Sequence, residues 1–438
     1  MGKSGLRAFV VVLAVAGVCS PGLAEGRKAK PAKEDPKEAV AAREPLTRDA
    51  VNAATFTAQA SGKPSAKSKT AKFAKSKAND KRPDALLLKA QVLLARAHFS
   101  PGAIDGRDGE NFRGALSAFA VAQGLPAATT LNQEVFDKLQ AAGTDPVVVD
   151  YTITEADSAG PFVEKIPAKM EDQASLEAMG YTDAREMLAE RFHMSRDLLG
   201  ALNPDAAFDK TGTTIAVAGV PAMERGKPKP ATKARAKPKA KDGDKDEAKK
   251  DEAKKEDAKK EDAKKADHKN DGKEAKGEAK AEGKGDEPPK DDAPKDDTPK
   301  KVTRIEVDKA SRQVRAFDSD GKLRAFYPAS IGSEEKPAPS GNAKVEGVAY
   351  EPTYTYNPKY AFKGVKAKKK FTLRPGPNNP VGLVWIDLSI PSYGIHGTPE
   401  PEKVGKTESH GCIRLTNWDV RELAASLERG ATVEFKDE

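Results

Sequence analysis

The feature that most constrains folding is a charged, low-complexity segment over residues 222–300. Its repeat "DEAKKDEAKKEDAKKEDAKK" has a period of five residues, and residues 241–270 contain eleven lysines and eleven acidic residues. Opposite charges at helical i,i+3 and i,i+4 spacing favour a transient solvated helix, but there is no apolar face to bury in a core. We predict a disordered linker that gives the last domain reach, with folded regions on either side.

The N-terminus has the pattern of a targeting segment. Lys3 and Arg7 precede an apolar run from Phe9 to Val18, and residues 22–24 have the small-x-small pattern of a cleavage site. The pattern predicts a secretory signal peptide over residues 1–24, with an uncleaved membrane anchor as the alternative. The expected location is therefore the periplasm or the cell envelope.

Export bears on the two cysteines. Cleavage removes Cys19, and Val18 stands where a lipidated cysteine needs a small residue before it. Cys412 is then the single thiol in an oxidising compartment, either an accident of packing or a nucleophile. The net charge is +8. Nucleic acid is not an expected partner, because the chain is exported and its basic stretches lack interleaved aromatic residues.

Residues 25–82 predict a second disordered linker, since they are rich in Lys, Ala, Ser and Pro. Residues 83–142 predict a small all-α bundle of three amphipathic helices around one core. This bundle resembles a peptidoglycan-binding domain, except that Ala120 stands where that family has Gln. The residues that carry the resemblance are Ile104, Asp105, Gly106, Gly109, Ala115, Phe119, Gly124 and Leu125.

Residues 145–221 form a further small unit. The stretch "REMLAERFHMSRDLLGALNP" has helical spacing, and "GTTIAVAGV" is typical of a short strand. Together they resemble the second half of a LysM wall-binding module. His193 in this unit is interpreted as a loop or core residue, and His268 in the charged linker is given no role.

Residues 301–438 predict a mainly-β domain with one helix. Apolar residues alternate with charges on both sides of a turn at Asp318–Gly321, which is typical of a hairpin. The apolar run Gly382–Ile390 predicts a buried strand. A helix is expected around Val420, capped by Thr416 or Asn417 and ended by Gly430, with "ATVEF" as the final strand.

Three reactive side chains cluster in this domain. His410 stands two residues before Cys412, and His396 lies sixteen residues upstream of the cysteine. A nucleophilic cysteine needs a base or cation beside its sulfur and backbone donors for an oxyanion. The alternatives are an inert buried thiol and a zinc site formed by His396, His410, Cys412 and water.

These residues resemble the L,D-transpeptidases of the YkuD family. The family signature is a histidine, a loop, and then Ser/Thr-His-Gly-Cys-x-Arg/Asn, which here is His396 followed by Ser409–Arg414. The stretches "PNNPVGLVWIDLS", "GIHGT" and "KPAPSGNAKV" match the family as well. The resemblance covers residues 302–435 and implies a β-sandwich with a helix.

The resemblance also implies roles for individual residues. Cys412 would be the nucleophile, His396 the base, and His410 a group that lines the site. Trp385 and Tyr393 are interpreted as core or as pocket wall. The substrate or oxyanion residues would be Ser409, Gly411, Arg414 and Gly397, without a metal or a cofactor.

The implied reaction is acyl transfer on peptidoglycan stem peptides. Release of the terminal D-Ala would leave a thioester, and an amine from another stem or from a lipoprotein lysine would then accept the acyl group. Carbapenems are expected covalent inhibitors. The alternatives are an L,D-carboxypeptidase that uses water as acceptor, a non-catalytic wall-binding protein, and a cysteine peptidase that cleaves proteins.

Overall fold

The computed structural model describes residues 46–56, 82–227, 301–360, 365, 367–409 and 411–437. Residues Leu46–Glu438 belong to one compact unit. The predicted signal peptide, most of both predicted linkers, and His268 and His410 lie outside the described residues. Among the helices of the described residues, none is long and apolar enough to span a membrane.

We call the described residues between 46 and 227 the upstream module. Most of its helices begin at side-chain caps, as at Asp84, whose carboxylate accepts from the backbone N–H of Leu86 and Leu87. The elements are α1 (Arg48–Ala53), α2 (Ala85–Arg96), α3 (Glu110–Ala122), α4 (Gln133–Ala141), β1 (Val148–Thr152), α5 (Glu155–Ala159), α6 (Met170–Gln173), α7 (Ala184–Arg191), α8 (Arg196–Leu202) and β2 (Thr214–Ala218). The three helices expected between residues 83 and 142 correspond to α2, α3 and α4.

One core joins the parts of the upstream module. Buried apolar residues of α2–α4, the antiparallel pair β1–β2 and helices α7 and α8 form a single cluster. Helix α1 belongs to it through Val51, and the Asn52 side chain accepts from the backbone N–H of Val147 and Val148. The prediction of a linker throughout residues 25–82 is therefore wrong for residues 46–56, which form a helix that packs on the core of the upstream module.

We call the described residues between 301 and 437 the C-terminal domain. It is mainly β with one long helix, as predicted. Its elements are β3 (Val302–Asp308), β4 (Gln313–Asp318), β5 (Leu323–Pro328), β6 (Ser330–Ile331), β7 (Gly341–Tyr350), β8 (Tyr354–Tyr356), β9 (Phe371–Leu373), β10 (Val384–Leu388), β11 (Gly394–His396), β12 (Ile413–Arg414), α9 (Asn417–Ser426) and β13 (Leu427–Lys436).

Nine strands of the described residues form one sheet, in the order β5-β4-β3-β13-β7-β10-β11-β12-β6. Strand β7 joins its two halves, because residues 341–344 pair with β13 and residues 345–350 pair with β10. The two sheets expected of a sandwich are thus continuous through β7. Both halves and α9 bury their apolar side chains in one cluster.

Helix α9 begins at a predicted cap but ends earlier than predicted. Its N-cap is Thr416, whose hydroxyl accepts from the backbone N–H of Asp419. The predicted end at Gly430 is wrong, since α9 stops at Ser426 and Gly430 lies within β13. The residues after Ser426 belong to the sheet instead, because they pair with β3 on one side and with β7 on the other.

The upstream module packs directly against the C-terminal domain. The backbone N–H of Ser100 donates to the Phe326 carbonyl at 2.8 Å, and the N–H of Phe326 donates to the His98 carbonyl at 2.9 Å. Residues 98–100 therefore cover the free edge of β5. These contacts hold the two parts together among the described residues. The charged segment itself lies outside them from residue 228 onward, and its role as a spacer stays a prediction.

A second contact between the two parts is aromatic. The His193 ring stacks on Trp418 of α9, with ring centroids 5.2 Å apart and an interplanar angle of 8°. Burial lowers the pKa of His193 to about 4. His193 is thus a neutral core residue at pH 7, in agreement with its interpretation from the sequence.

Two buried carboxyls make the stability of this contact region depend on pH. Burial raises the pKa of Glu190 and of Asp419 to about 8. The folded state therefore keeps protons that the unfolded chain releases near pH 4, so stability is lost as pH rises towards 8, by at most about 1.4 kcal/mol per pH unit for each group. The buried, neutral His193 and His396 act in the opposite sense below pH 6.5, so the fall is clearest above it.

We expect the melting temperature to fall by a few degrees between pH 6.5 and pH 8. Asp419→Asn removes one of the two titrating groups with little change of shape. This variant is expected to reduce the fall, as measured by differential scanning calorimetry. An unchanged slope in Asp419→Asn would contradict the assignment.

Candidate active site

Two short parallel strands bring the separated motif residues together. Strand β11 pairs with β12 so that Ile395 lies opposite Ile413 and His396 lies opposite Arg414. The backbone N–H of Leu415 also donates to the His396 carbonyl at 2.8 Å. This parallel register places Cys412, the residue before β12, beside Gly394, the first residue of β11.

His396 and Cys412 line the same cavity, whose volume is about 890 Å³. It also takes side chains from β8, from β10 and from the loop before β7, and one from α6 of the upstream module. The residues used below that line it are Met170, Tyr354, Trp385, Tyr393, His396, Ser409, Cys412 and Arg414.

The geometry of His396 fixes its tautomer. The ring is buried, with 5% of the residue exposed, and stacks on Trp385 at a centroid distance of 5.5 Å. Its Nδ1 lies 2.7 Å from the Gly397 carbonyl oxygen, which can only accept, so Nδ1 carries the proton and Nε2 keeps its lone pair. Burial, and then the charge of Arg414, lower the pKa of His396 to about 3. The imidazole is therefore neutral at pH 7.

The Cys412 thiol is also neutral in this arrangement. Its Sγ donates to the Ser392 carbonyl at 3.8 Å. Burial raises the pKa of the thiol, while a hydrogen bond with the Gly394 backbone and the charge of Arg414 act to lower it. A neutral thiol and a neutral imidazole thus share one cavity, with a cation beside both.

Arg414 supplies that cation. Its Nε is buried and has no hydrogen-bond partner among the residues that the structure describes. Burial lowers the pKa of Arg414, and Glu400 and Cys412 act to raise it. A buried guanidinium with unused donor capacity suits a carboxylate ligand.

The Ser409 side chain makes hydrogen bonds within the protein, while its predicted substrate or oxyanion role stays a prediction. Its hydroxyl donates to the Cys412 carbonyl at 2.5 Å and accepts from the backbone N–H of Gly332 at 2.7 Å. The Ser409 N–H donates in turn to the Gly332 carbonyl. Through these bonds the Ser409 side chain holds the turn before Cys412.

The two glycines of the predicted site also differ from each other. Gly411 has φ of +106°, and a Cβ there would lie 3.0 Å from a ring carbon of Tyr393, so only glycine fits. The N–H of Gly397 donates to the Val384 carbonyl at 3.3 Å, and its carbonyl holds His396. Gly397 therefore anchors the imidazole, and its N–H is not free for the predicted oxyanion role.

From the sequence, the position of some cavity-lining residues stayed open and others were missed. Trp385 and Tyr393 line the cavity, so both belong to the pocket wall, which is one of the two alternatives interpreted from the sequence. Tyr354 was missed, although the alternating "YTY" was a possible signal. Its pKa is raised to about 12 by burial and by Cys412. Met170 comes from the upstream module, and no sequence pattern linked it to this site.

Residues 302–435 match the family model of the L,D-transpeptidase catalytic domain, YkuD. They are similar to the putative L,D-transpeptidase YkuD of Bacillus licheniformis, with 32% identity over 130 residues, which are 30% of this chain and 63% of that protein. They are also similar to the probable L,D-transpeptidase YbiS of Escherichia coli K12, with 33% identity over 137 residues, which are 31% of this chain and 44% of that protein.

Among solved structures, L,D-transpeptidase 3 from Mycobacterium tuberculosis shares 16% identity with a TM-score of 0.27, over 31% of this chain and 62% of that one. The chain spans less than two thirds of the length of these relatives, and the similarity of sequence concerns the C-terminal domain.

Proposed function

We propose that the chain is an exported L,D-transpeptidase that acts on peptidoglycan stem peptides through a Cys412 acyl-enzyme. The observation that supports this most is the shared cavity of Cys412 and His396, within the residues that match the L,D-transpeptidase model. The held Nδ1–H of His396 leaves Nε2 as the basic nitrogen. A basic nitrogen in the same cavity as the thiol is one of the elements that general-base activation of a thiol requires.

In the first half-reaction, Cys412 Sγ attacks the carbonyl carbon at the L-centre of meso-diaminopimelate in a tetrapeptide stem. The thiol proton passes to Nε2 of His396 as the C–S bond forms. The C–N bond to the terminal D-Ala then breaks, and the imidazolium gives its proton to the leaving amine. Free D-Ala and a thioester on Cys412 result.

In the second half-reaction, an amine attacks the thioester and loses a proton to His396. The C–S bond breaks and the proton returns to the sulfur. The side-chain amine of another stem gives a 3-3 cross-link, and a lysine of a lipoprotein gives a protein anchored to the wall. Water as the acceptor gives a tripeptide, which is the carboxypeptidase outcome.

The developing oxyanion needs donors that are free in the resting site. Within the described part of the chain, neither the Gly411 N–H nor the Cys412 N–H has an acceptor. The Ser409 bonds to Gly332 and to the Cys412 carbonyl hold the turn that carries these amides. We assign the oxyanion hole to these two N–H groups, and His410 keeps its predicted role as a group that lines the site.

The resting base is too weak to hold a thiolate, since its pKa is about 3. Arg414 contributes to this weakness through its charge. A substrate carboxylate bound to Arg414 would offset that charge and raise the pKa of His396 towards a useful value. Substrate binding would then activate the base, and a neutral resting site protects the thiol.

We expect Arg414→Gln to lower kcat/KM for D-Ala release by about 10- to 100-fold, mainly through a higher KM, because a charge-assisted bidentate contact is lost. The kcat/KM of Arg414→Lys is expected to lie between those of the wild type and Arg414→Gln, since an ammonium keeps the charge without the planar fork of a guanidinium. Steady-state assays on a tetrapeptide stem measure this. A loss confined to kcat would count against the carboxylate role.

The N-terminal regions complete the proposal. The signal peptide over residues 1–24 would export the chain to the periplasm or cell envelope. The helical bundle and the LysM-like unit would hold the catalytic domain against peptidoglycan. Their shared core and their direct packing on the C-terminal domain favour one rigid wall-bound body over a tethered one.

The deciding experiment is muropeptide analysis of cell wall treated with the purified full chain. We expect D-Ala release with new 3-3 dimers, or stems linked to a lipoprotein where one is supplied. Tripeptides alone would indicate the L,D-carboxypeptidase. No change in the muropeptides would favour a non-catalytic wall-binding protein, and cleavage of casein would favour a cysteine peptidase.

A further inference from the structure

Asn417, the first residue of α9, joins the two parts of the molecule at a buried point. Its side chain has no exposed surface. The Nδ2 group donates to Glu190 Oε1 at 2.6 Å and to the Pro377 carbonyl at 3.3 Å. Its Oδ1 accepts from the Leu383 N–H at 3.0 Å. Donors and acceptor are all used, so the orientation of the amide is fixed.

The same amide packs closely against the backbone that holds the proposed base, His396. A Cβ placed on Gly397 would lie 2.0 Å from Asn417 Oδ1, and a Cβ placed on Gly382 would lie at the same distance. Two glycines thus make room for this one oxygen. Gly397 is the residue whose carbonyl accepts from His396 Nδ1. A shift of Asn417 would therefore move the anchor of the imidazole.

Glu190 extends this chain of contacts into the upstream module. It lies in α7 and is buried, and its carboxyl is also bonded to the Tyr181 side chain. Burial raises its pKa to about 8, so at neutral pH the group is largely an uncharged acid. The contact with Asn417 is therefore a short neutral hydrogen bond, which an amide of the same shape can reproduce.

We propose that Asn417 is a positioning residue for His396, acting through Gly397, and that Glu190 of the upstream module holds Asn417 in place. The upstream module is then part of the catalytic apparatus as well as a wall anchor. The assignment rests on the proposed function for the role of His396. A displacement of the base by less than 1 Å is enough to slow catalysis strongly.

The test compares three full-length variants. Glu190→Met keeps the volume and loses the acceptor, Glu190→Gln keeps an acceptor, and His193→Gln perturbs the same interface at Trp418 without touching Asn417. The readouts are the second-order rates of Cys412 acylation by imipenem and of its alkylation by iodoacetamide, with thermal melts to establish folding. Alkylation needs no wall chemistry, so it separates this inference from the proposed function.

We expect Glu190→Met to slow both reactions about tenfold, with Glu190→Gln and His193→Gln within about twofold of the wild type. If Glu190→Met does not fold, Glu190→Ala is expected to show the same loss. A folded Glu190→Met at the wild-type rate would overturn the inference, as would an equal slowing of all three variants. A wild type that is alkylated but not acylated would instead count against the proposed function.

Discussion

Cys412→Ser is expected to lower the rate of D-Ala release from tetrapeptide stems by at least about 10³-fold. A hydroxyl is a far weaker acid than a thiol, and the neutral His396 is too weak a base to activate it. The sulfur bonds to backbone groups, the Ser392 carbonyl at 3.8 Å and the Gly394 backbone, and a hydroxyl can bond to the same groups, so the substitution should leave the fold intact. The assay is chromatographic quantification of free D-Ala.

An unchanged melting temperature serves as the control for this variant. If folded Cys412→Ser released D-Ala at a rate within tenfold of the wild type, Cys412 would not be the nucleophile. The inert buried thiol would then be the better interpretation of this residue.

His396→Gln is expected to lower the same rate by about 10²- to 10³-fold, which is the usual contribution of a general base. A glutamine amide can still donate to the Gly397 carbonyl, but it has no basic nitrogen. The chain offers a close control in His193→Gln. In both histidines burial lowers the pKa, although His193 is only half-buried by surface area, and each stacks on a tryptophan, His396 on Trp385 and His193 on Trp418.

The control is expected to lose stability without losing rate by more than about twofold, because His193 is outside the cavity of Cys412. Kinetics and melting curves of the two variants side by side measure this difference. Equal losses of rate in both variants would indicate general destabilisation and would remove His396 from the mechanism.

The fold of the C-terminal domain could be predicted well because its sequence signals are local. Alternating apolar residues around the turn at Asp318–Gly321 predicted the hairpin β4–β5. The apolar run Gly382–Ile390 predicted the central strand β10. The residues that line the site were grouped by a signature that depends on chain order. The parallel pairing of β11 with β12 supplies the physical reason for that spacing, since two adjacent strands bring His396 and Cys412 to one cavity.

The hydrogen-bond partners of Ser409 and Gly397 could not be predicted from local sequence patterns. Both stand beside histidines of the predicted site in the sequence, which made an oxyanion role reasonable. Their donors instead serve Cys412 O and the β10 backbone, respectively. Which hydrogen bonds a residue has already made depends on partners, such as Gly332, that are far away in the chain.

The union of the upstream module with the C-terminal domain was also beyond sequence patterns. Glu190 and Asn417 are 227 positions apart and meet in a hydrogen bond, and Met170 reaches the cavity from α6. Helix α1 carries a single fully buried apolar residue, Val51, within a polar stretch. Neither periodicity nor composition reports such contacts, because they arise only when separate elements pack.

The central claim is that Cys412 accepts an acyl group. Intact-mass spectrometry of the full chain after incubation with imipenem, followed by peptide mapping, tests it most directly. We expect one stoichiometric adduct of the mass of imipenem on the peptide that contains Cys412, and none in Cys412→Ser. An unmodified wild type, or an adduct on any other residue, would contradict the claim.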